Sequence, residues 1–333
     1  MDELIRVENL TKEFPVHKSL IDRVLAGGKK AVVHAVDDIS FAIERGEVLG
    51  LAGESGSGKS TTGRLLLRLI EPTAGVIRYN GRDMTEFRGR EMERMREKVQ
   101  IVFQDPNSSL SPRMSVGEAI SHPLKIHNFG TPEERKRRVL DLMEHVGLSP
   151  AEFLYRKYPH QISGGQSQRV VLARALVTNP DFIVADEPIA MADVSVRALI
   201  LELMKKLKAE FNLTYLFITH DLATAKYLCD RVAVMYLGRI VELAPRDVLF
   251  GGPHHPYTRA LLDAVPIPDP LKRRGEEVVR GEIPSAIEPP PGCHFHPRCP
   301  HAGPECSRER PPLREIAPGH YTACILPADY LRE

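Results

Sequence analysis

Residues 47–70 read EVLGLAGESGSGKSTTGRLLLRLI, and this stretch decides the fold. Its centre, from Gly53 to Ser60, fits the pattern G-x-x-x-x-G-K-[ST], whose glycines let backbone N–H groups converge on phosphate oxygens. The apolar run Glu47–Ala52 in front of it predicts a buried strand. Apolar residues at helical spacing, up to Ile70, predict a helix behind it. Because a helix N-terminus favours anions, the stretch predicts a phosphate-binding loop.

This loop and a second motif have complementary predicted roles in binding and hydrolysing a nucleotide. We expect Lys59 to reach the β and γ phosphates and the Ser60 hydroxyl to ligate Mg²⁺. Asp186 and Glu187 come directly after the apolar run Asp181–Ala185, which predicts another buried strand. Asp186 is predicted to hold Mg²⁺ through water, and Glu187 to orient and deprotonate an attacking water.

Strand-like and helix-like stretches alternate from about residue 40 to residue 240, which predicts an α/β fold with a mostly parallel sheet. Tyr215–Ile218 is a further buried strand in this pattern. Between residues 114 and 150 the apolar residues recur at helical spacing, and Thr131-Pro132 supplies a helix start, so we expect an inserted helical region. Arg231–Glu242 is predicted to form two strands that turn at a glycine.

Length and charge exclude some classes of protein. The 333 residues allow one large domain or a main domain with an appendage. With 45 basic and 44 acidic residues the net charge is +1, so no global field recruits nucleic acid. The acidic start lacks the segments of a signal peptide, and no apolar run approaches the ~18 residues of a membrane-spanning helix. We therefore expect a chain that is neither exported by a signal peptide nor inserted in a membrane by itself.

The composition changes near residue 250. Fourteen of the 27 prolines lie between Pro266 and Pro327, a density that prevents long helices and central strands, so we expect a domain boundary and a loop-rich appendage. Four cysteines fall in this appendage: Cys293, Cys299, Cys306 and Cys324. A bound metal is one way to staple such a segment, and free thiols are the alternative. Without a C-x-x-C pair zinc fits poorly, whereas iron–sulfur clusters accept irregular sets of four cysteines.

Residues 162–169, ISGGQSQR, resemble the signature motif of ABC transporter ATPases. Other elements follow in the order of that family. Gln104 in VFQDP resembles the Q-loop glutamine, and His220 in ITHD resembles the switch histidine. Phe14 resembles the aromatic residue that stacks on adenine. Taken singly, each of these residues has an alternative interpretation: Gln104 as a loop amide, His220 as a strand-end histidine and Phe14 as a core aromatic residue.

This resemblance implies an ABC ATP-binding domain over residues 1–250 and a C-terminal region over residues 251–333. The implied fold has a RecA-like parallel sheet core, an antiparallel β subdomain and an α-helical subdomain inserted at about 105–175. ATP and Mg²⁺ are the implied cofactors. Two such domains close head to tail over two ATP molecules, so that Ser163 and Gly165 would touch the γ-phosphate on the partner's loop.

The resemblance also carries the family's site residues onto this sequence. The nucleotide-binding positions are Phe14, Gly53, Glu54, Ser55, Gly56, Ser57, Gly58, Lys59, Ser60, Thr61, Gln104, Ser163, Gly164, Gly165, Gln166 and Asp193. The catalytic positions are Lys59, Glu187 and His220. The Mg²⁺ positions are Ser60, Gln104 and Asp186.

Three further segments are typical of the ATP-binding subunits of oligopeptide and dipeptide importers: Gln104-Asp105-Pro106, Tyr158–His160 and His255–Leu262. The cysteine tail is typical too, and some members carry a [4Fe–4S] cluster on cysteines that these four resemble. The implied subunit lies on the cytoplasmic face of the cell membrane and powers peptide import by ATP hydrolysis. The implied partners are two permease subunits, a second ATPase subunit in a heterodimer or less often a homodimer, and indirectly an extracytoplasmic peptide-binding protein, with no nucleic acid.

Ile189–Ala192 departs from the family pattern, which has a small polar pair and then Ala-Leu before the aspartate that Asp193 matches. This segment normally communicates between the two ATP sites, so its departure motivates one alternative, a regulatory subunit that hydrolyses ATP poorly. The other alternative is a soluble ABC ATPase of translation or DNA repair. Those chains usually carry two cassettes or a long coiled coil, and neither is visible in this sequence.

Overall fold

A computed structural model of the chain describes residues 2–16, 31–264 and 281–327. Its contacts divide the chain into two compact units. The first, here called the helical unit, comprises Met1–Leu4, Ile43–Glu47 and Glu86–Phe217. The second, here called the phosphate-loop unit, comprises Ile5–Ala42, Val48–Thr85 and Ile218–Glu333.

The elements follow one another along the chain in a mixed α/β order. The strands are β1 (Glu3–Pro15), β2 (Val32–Glu44), β3 (Val48–Ala52), β4 (Ala74–Tyr79), β5 (Arg82–Asp83), β6 (Val99–Val102), β7 (Phe182–Asp186), β8 (Thr214–Thr219), β9 (Arg231–Tyr236), β10 (Arg239–Pro245), β11 (Arg314–Ala317) and β12 (His320–Thr322). The α-helices are α1 (Lys59–Leu66), α2 (Arg90–Lys98), α3 (Pro106–Ser109), α4 (Val116–Ile126), α5 (Pro132–His145), α6 (Ala151–Tyr155), α7 (Gly164–Leu176), α8 (Val194–Phe211), α9 (Leu222–Leu228), α10 (Arg246–Gly251) and α11 (Pro256–Asp263). In these described segments, no helix is long and apolar enough to cross a membrane.

The helical unit is built on short parallel strands. β6 pairs in parallel with β7, with Val99 opposite Phe182 and Val102 opposite Ala185. β7 is buried along its whole length and is apolar up to Asp186, as expected of a strand that is covered on both faces. Parallel strands need a long crossover, and here the crossover from β6 to β7 contains α3 to α7.

The predicted helical insertion is confirmed in this crossover. α4, α5 and α7 each begin with a capping box, at Ser115, Thr131 and Ser163. In a capping box the side chain of the residue before the helix accepts a hydrogen bond from the N–H of the third helical residue. The side chain of that third residue accepts a hydrogen bond from the N–H of the residue before the helix. α5 buries Val139 and Met143, one helical turn apart, in the core. Sequence-local signals therefore set where these helices begin.

The phosphate-loop unit contains two groups of strands. β2, β1, β4 and β5 form a four-stranded sheet in that order, with β1 antiparallel to β4. The second group has the order β11, β12, β10, β9, β3, in which β3 runs parallel to β9. β9 and β10 form an antiparallel hairpin that turns at Leu237 and Gly238, both with positive φ, so the predicted strand pair is confirmed. The fold class is α/β, as predicted.

α1 is shorter than the sequence predicts. It ends at Leu66, whereas the apolar spacing continues to Ile70. Arg68 has a φ of 49°, in the left-handed region that ends a helix, and its guanidinium donates to the carbonyl of Met84 at 2.7 Å. As a result Leu69 is 51% exposed and is not part of an apolar helix face.

The tail has the loop-rich character predicted from its prolines. Its described residues form the short helices α10 and α11, two 3₁₀ helices (His296–Arg298 and Pro304–Ser307) and the strand pair β11–β12. β12 pairs with β10, with Glu242 opposite Thr322, so the tail extends the sheet of its own unit. The expected domain limits, 1–250 and 251–333, stay a prediction.

A buried carboxylate ties this tail to the sheet. Glu242 on β10 is 0% exposed and accepts hydrogen bonds from the backbone N–H groups of His254 at 2.6 Å and His255 at 3.0 Å. Its Oε1 also lies 2.7 Å from Nε2 of His320. Burial lowers the pKa of His255 to about 4, so this imidazole is neutral at pH 7. Buried polar groups need hydrogen-bond partners. The Glu242 side chain supplies them, and it thereby joins β10 to β12 and to the segment before α11.

We expect Glu242→Ala to lower the free energy of unfolding by about 3 kcal/mol, because it leaves two buried N–H groups and an imidazole without their acceptor. Urea denaturation of the full chain measures this change. Glu288→Ala is the matched control, since Glu288 is an exposed glutamate of the same unit, and it should shift the free energy by less than about 0.5 kcal/mol. Equal stability of the two variants would contradict the role given to Glu242.

Candidate functional site

The phosphate loop lies between β3 and α1 and requires glycine at two close approaches. Gly53 has a φ of 150° and Gly58 a φ of 103°, values that L side chains rarely adopt. A Cβ on Gly53 would lie 2.2 Å from the carbonyl oxygen of Met235, and one on Gly58 would lie 2.2 Å from that of Ala35. No side chain fits at either position, so the loop backbone lies directly against other backbone.

The Lys59 side chain folds back over this loop. It is 5% exposed, and its ammonium donates to the carbonyl oxygens of Gly53 and Glu54, both at 2.8 Å. The hydroxyl oxygen of Ser57 lies 3.4 Å from the same ammonium. Loop oxygens thus hold a positive charge at the place where nucleotide phosphates can replace them as acceptors. Ser60 and Thr61 follow in the first turn of α1 and are half-buried.

Two side chains from the tail contact Glu54 of the loop. The Glu54 N–H donates to the Tyr257 hydroxyl at 2.9 Å. Its carboxylate accepts two hydrogen bonds from Arg298, at 2.9 Å and 3.2 Å. Sequence reasoning missed both residues as neighbours of the loop, although it singled out the segment around Tyr257 and the cysteines around Arg298. They lie 203 and 244 positions from Glu54, and no spacing rule connects residues so far apart.

Gln104 and Glu187 come together in the helical unit. They follow β6 and β7, which are parallel neighbours, so both lie at the carboxyl edge of these strands. Gln104 Nε2 donates to Glu187 Oε2 at 3.0 Å. Glu187 has a φ of 47°, a strained conformation of the kind that clusters at functional sites. Asp186, the last residue of β7, is 8% exposed.

His220 and Phe14 belong to the phosphate-loop unit. His220 directly follows β8 and is exposed. The next residue, Asp221, caps α9 by accepting from the N–H of Ala223 at 2.9 Å, which fixes the turn after His220. Phe14 is 38% exposed on β1, and the ammonium of Lys12 lies 5.0 Å from its ring centroid. An exposed aromatic face suits stacking on a base, so the alternative of a core aromatic residue is wrong.

The signature residues open α7. Ser163 is the residue before the helix: its Oγ accepts from the N–H of Gln166 at 3.3 Å, and its own N–H donates to Gln166 Oε1 at 2.9 Å. Ser163 and Gly164 are exposed. A Cβ on Gly165 would lie 3.2 Å from Val196, so a larger residue would crowd the helix start. An exposed helix N-terminus of this kind suits an anionic group.

Asp193 stands at the start of α8. Its carbonyl accepts from the N–H groups of Val196 and Arg197, both at 2.9 Å, and its exposed side chain makes no capping bond to the helix. In the atypical segment before it, Ile189 is 6% exposed and Met191 is 68% exposed. The departure from the family pattern therefore buries one apolar side chain and presents another to solvent.

The four tail cysteines line one pocket in the phosphate-loop unit. Burial, together with a smaller effect of the neighbouring thiols, raises the pKa of Cys299 to about 12 and that of Cys324 to about 11. Burial also raises the pKa of Cys293. Thiolates at this pocket therefore need a cation to form at neutral pH.

No metal site is visible at these thiols in the described part of the chain. Across residues 2–16, 31–264 and 281–327, no group of three or more His, Cys, Asp or Glu side chains is placed to hold one metal ion. Zinc requires such a group, with each sulfur about 2.3 Å from the ion. Neither the zinc alternative nor the expected iron–sulfur cluster thus has support in the part of the chain that the structure describes.

Comparison with known proteins identifies the family. Residues 36–190 match the ABC transporter family, and residues 241–306 match the oligopeptide/dipeptide transporter C-terminal region. The oligopeptide transport ATP-binding protein AppF of Bacillus subtilis is 44% identical over 331 residues, which cover 98% of each chain. A Brucella ovis protein, provisionally named a peptide import ATP-binding protein, is 51% identical over 297 residues, 89% of this chain and 93% of its own. The chain belongs to the ABC transporter ATPases.

Solved structures of ABC cassettes share its fold. A dimeric ATP-binding cassette, MJ0796, solved with ADP and phosphate, has a TM-score of 0.62 and 29% identity, and covers 73% of this chain and 98% of its own. The cassette CbiO1 of Clostridium perfringens has a TM-score of 0.63 and 29% identity, and covers 75% of this chain and 92% of its own. In this ABC transporter ATPase, the first matched region contains the phosphate loop, Gln104, the signature and Glu187, and the second contains Arg298.

Proposed function

We propose that this ABC transporter ATPase hydrolyses ATP to power import of peptides through a membrane complex, with the chain on the cytoplasmic face. The observation that carries the proposal is the phosphate loop closed around Lys59, in a chain that matches both family regions. The peptide substrate is carried over from relatives named for peptide or oligopeptide transport.

In this proposal the loop residues bind the phosphates. Lys59 exchanges the carbonyl oxygens of Gly53 and Glu54 for phosphate oxygens, and the N–H groups of residues 53–61 add further donors. Ser60 and Gln104 would supply oxygen ligands to Mg²⁺ and Asp186 would hold the ion through water, and a bound ion would neutralise charge on the phosphates. The exposed ring of Phe14 stacks on the adenine.

Glu187 is the general base of the proposal. Gln104 donates to one of its oxygens and so orients the carboxylate, which accepts a proton from the attacking water. His220 adds a donor toward the γ-phosphate, where negative charge develops. These roles supply the positioning and the charge stabilisation on which phosphoryl transfer depends.

Closure of two ATPase subunits completes the proposed site, as in the dimeric cassette that this chain resembles. The exposed N-terminus of α7, with Ser163, Gly164 and Gly165, offers N–H groups to the γ-phosphate on the partner's loop. Asp193 follows the segment that normally communicates between the two ATP sites of such a pair. Because ATP binds the closed pair better than the open pair, binding drives closure and hydrolysis reverses it.

We expect Glu187→Gln to lower ATP hydrolysis about a hundredfold or more, because an amide accepts no proton, while ATP affinity stays within about twofold of the wild type. Phosphate release and ATP titration measure the two quantities. Glu202→Gln, at an exposed position on α8, is the matched control and should hydrolyse ATP normally. Undiminished hydrolysis in Glu187→Gln would exclude this residue as the base. Absence of hydrolysis by the wild-type complex would favour the regulatory alternative.

We propose two permease subunits and a second, similar ATPase subunit as the direct partners, with an extracytoplasmic peptide-binding protein acting through the permeases. To test this, the chain is tagged at its N-terminus and membranes are solubilised gently. We expect the two permease subunits and the second ATPase subunit to co-purify with it. A second ATPase of different sequence supports the heterodimer, and recovery of this chain alone beside the permeases supports a homodimer. A chain free of permeases in several detergents would favour a soluble ABC ATPase.

We propose, in addition, that the cysteine pocket holds an iron–sulfur cluster. Four thiols line one pocket, in a tail whose cysteines resemble the cluster-binding set of some members of this family. Iron–sulfur clusters are held by four cysteine thiolates and accept irregular sequence spacings. The cluster would supply the positive charge that these buried thiols need in order to ionise.

Anaerobically purified wild-type chain is expected to contain about four iron and four sulfide per molecule. Cys299→Ser should lose the iron, because it removes one of the four thiols. Cys229→Ala should keep it, since Cys229 is buried elsewhere in the same unit and does not line the pocket. Elemental and sulfide analysis measures both. Zinc without sulfide, or the absence of both metals, would overturn the cluster.

A further inference from the structure

The tail reaches the phosphate loop through one arginine. Arg298 ends the 3₁₀ helix His296–Arg298, one residue before Cys299, and is 7% exposed. Its two terminal nitrogens donate to the two carboxylate oxygens of Glu54, at 2.9 Å and 3.2 Å. Two parallel hydrogen bonds between planar groups set orientation as well as distance. The pair is therefore a defined clamp on the loop.

Two aromatic rings contact Arg298, and a third packs against them. Its guanidinium carbon lies 5.7 Å from the ring centroid of Tyr236 and 6.0 Å from that of Phe295. These two rings meet edge to face, with centroids 5.3 Å apart, and Tyr257 packs against both. Tyr257 also accepts the hydrogen bond from the Glu54 N–H. The cluster thus contacts Glu54 at its backbone and, through Arg298, at its carboxylate.

Glu54 connects this clamp to the lysine of the loop. Its carbonyl oxygen accepts from the Lys59 ammonium at 2.8 Å, so two contacts join Arg298 to the group proposed to bind phosphate. The Glu54 side chain also presents an electrostatic problem, because it adds a negative charge to a loop that has to attract a triphosphate. Paired with a guanidinium, that carboxylate contributes little net repulsion.

We propose that Arg298 is a positioning residue for ATP, which neutralises the Glu54 carboxylate and anchors the phosphate loop from the tail. The inference rests on the proposed function and extends it to a residue outside the nucleotide motifs. Arg298 acts through Glu54 and does not itself contact the nucleotide. It follows that the charge on Glu54, and not only the contact, determines ATP affinity.

The test is a cycle of charge substitutions in the full chain, with a non-hydrolysable ATP analogue and Mg²⁺ as the probe and calorimetry as the readout. R298Q leaves the carboxylate uncompensated, and its Kd is expected to rise about tenfold, as for unit charges about 12 Å apart at an effective dielectric near 20. E54Q removes the carboxylate but keeps the arginine, so it should tighten binding. The double variant E54Q/R298Q lacks both charges and should bind within about threefold of the wild type.

A purely structural pair would give a different pattern. Both single substitutions would weaken binding alike, and the double variant would bind no better than R298Q; that pattern overturns the proposal. R308Q removes the same charge from an exposed arginine of the same tail and is expected to leave the Kd unchanged within about twofold. An equal effect of R308Q and R298Q would also overturn it.

Three further outcomes also decide for or against the proposal. If R298Q does not fold, E54Q decides alone, because tightening supports the proposal and weakening overturns it. If the wild-type chain does not bind the analogue, the proposed function fails together with this inference. Binding by the wild type with no response to R298Q overturns this inference alone.

Discussion

The phosphate-loop unit depends on the hydrogen bonds that the buried ammonium group of Lys59 donates to the loop. The carbonyl oxygens of Gly53 and Glu54 hold Lys59 at 2.8 Å, and they converge because the loop curls tightly. The curl in turn requires glycine where the loop meets the backbone of Met235 and Ala35, since a Cβ would lie 2.2 Å from either carbonyl. Loop shape, strand packing and the position of a positive charge are thus aspects of one constraint, and the nucleotide chemistry of the family starts from that charge.

The tail is part of this arrangement because a few specific contacts join it to the sheet and to the phosphate loop. Its prolines prevent long helices, and its described residues are connected to the sheet by polar contacts, a strand pair and the packing of Tyr257 and Phe295 on Tyr236. The carboxylate of Glu242 binds three groups of the tail, and Arg298 binds the phosphate loop. Each contact joins a buried charge to several partners, which makes the contact specific as well as stabilising. A segment that resembles an appendage in composition therefore contacts the phosphate loop.

In the helical unit, the helix starts and strand ends carry the functional groups. The capping box at Ser163 begins α7 and leaves the first residues of the helix exposed. The parallel pairing of β6 and β7 places Gln104 beside Glu187. Local structure and chemistry coincide in both cases, which is why a motif of a few residues is informative about function.

The sequence by itself determined the features that a short stretch of chain contains: the glycine-rich loop, the carboxylates after β7, the signature at α7 and the capped start of α5. Their atoms lie within one turn of backbone, so residue type and spacing specify them. Only the tertiary structure decided the end of α1, where Arg68 bonds to Met84, 16 positions away, and the pairing of Arg298 with Glu54, 244 positions away. The four cysteines are visible in the sequence, but their common pocket is not. A contact between distant residues produces no periodicity in the chain, because chain folding alone sets the distance between them.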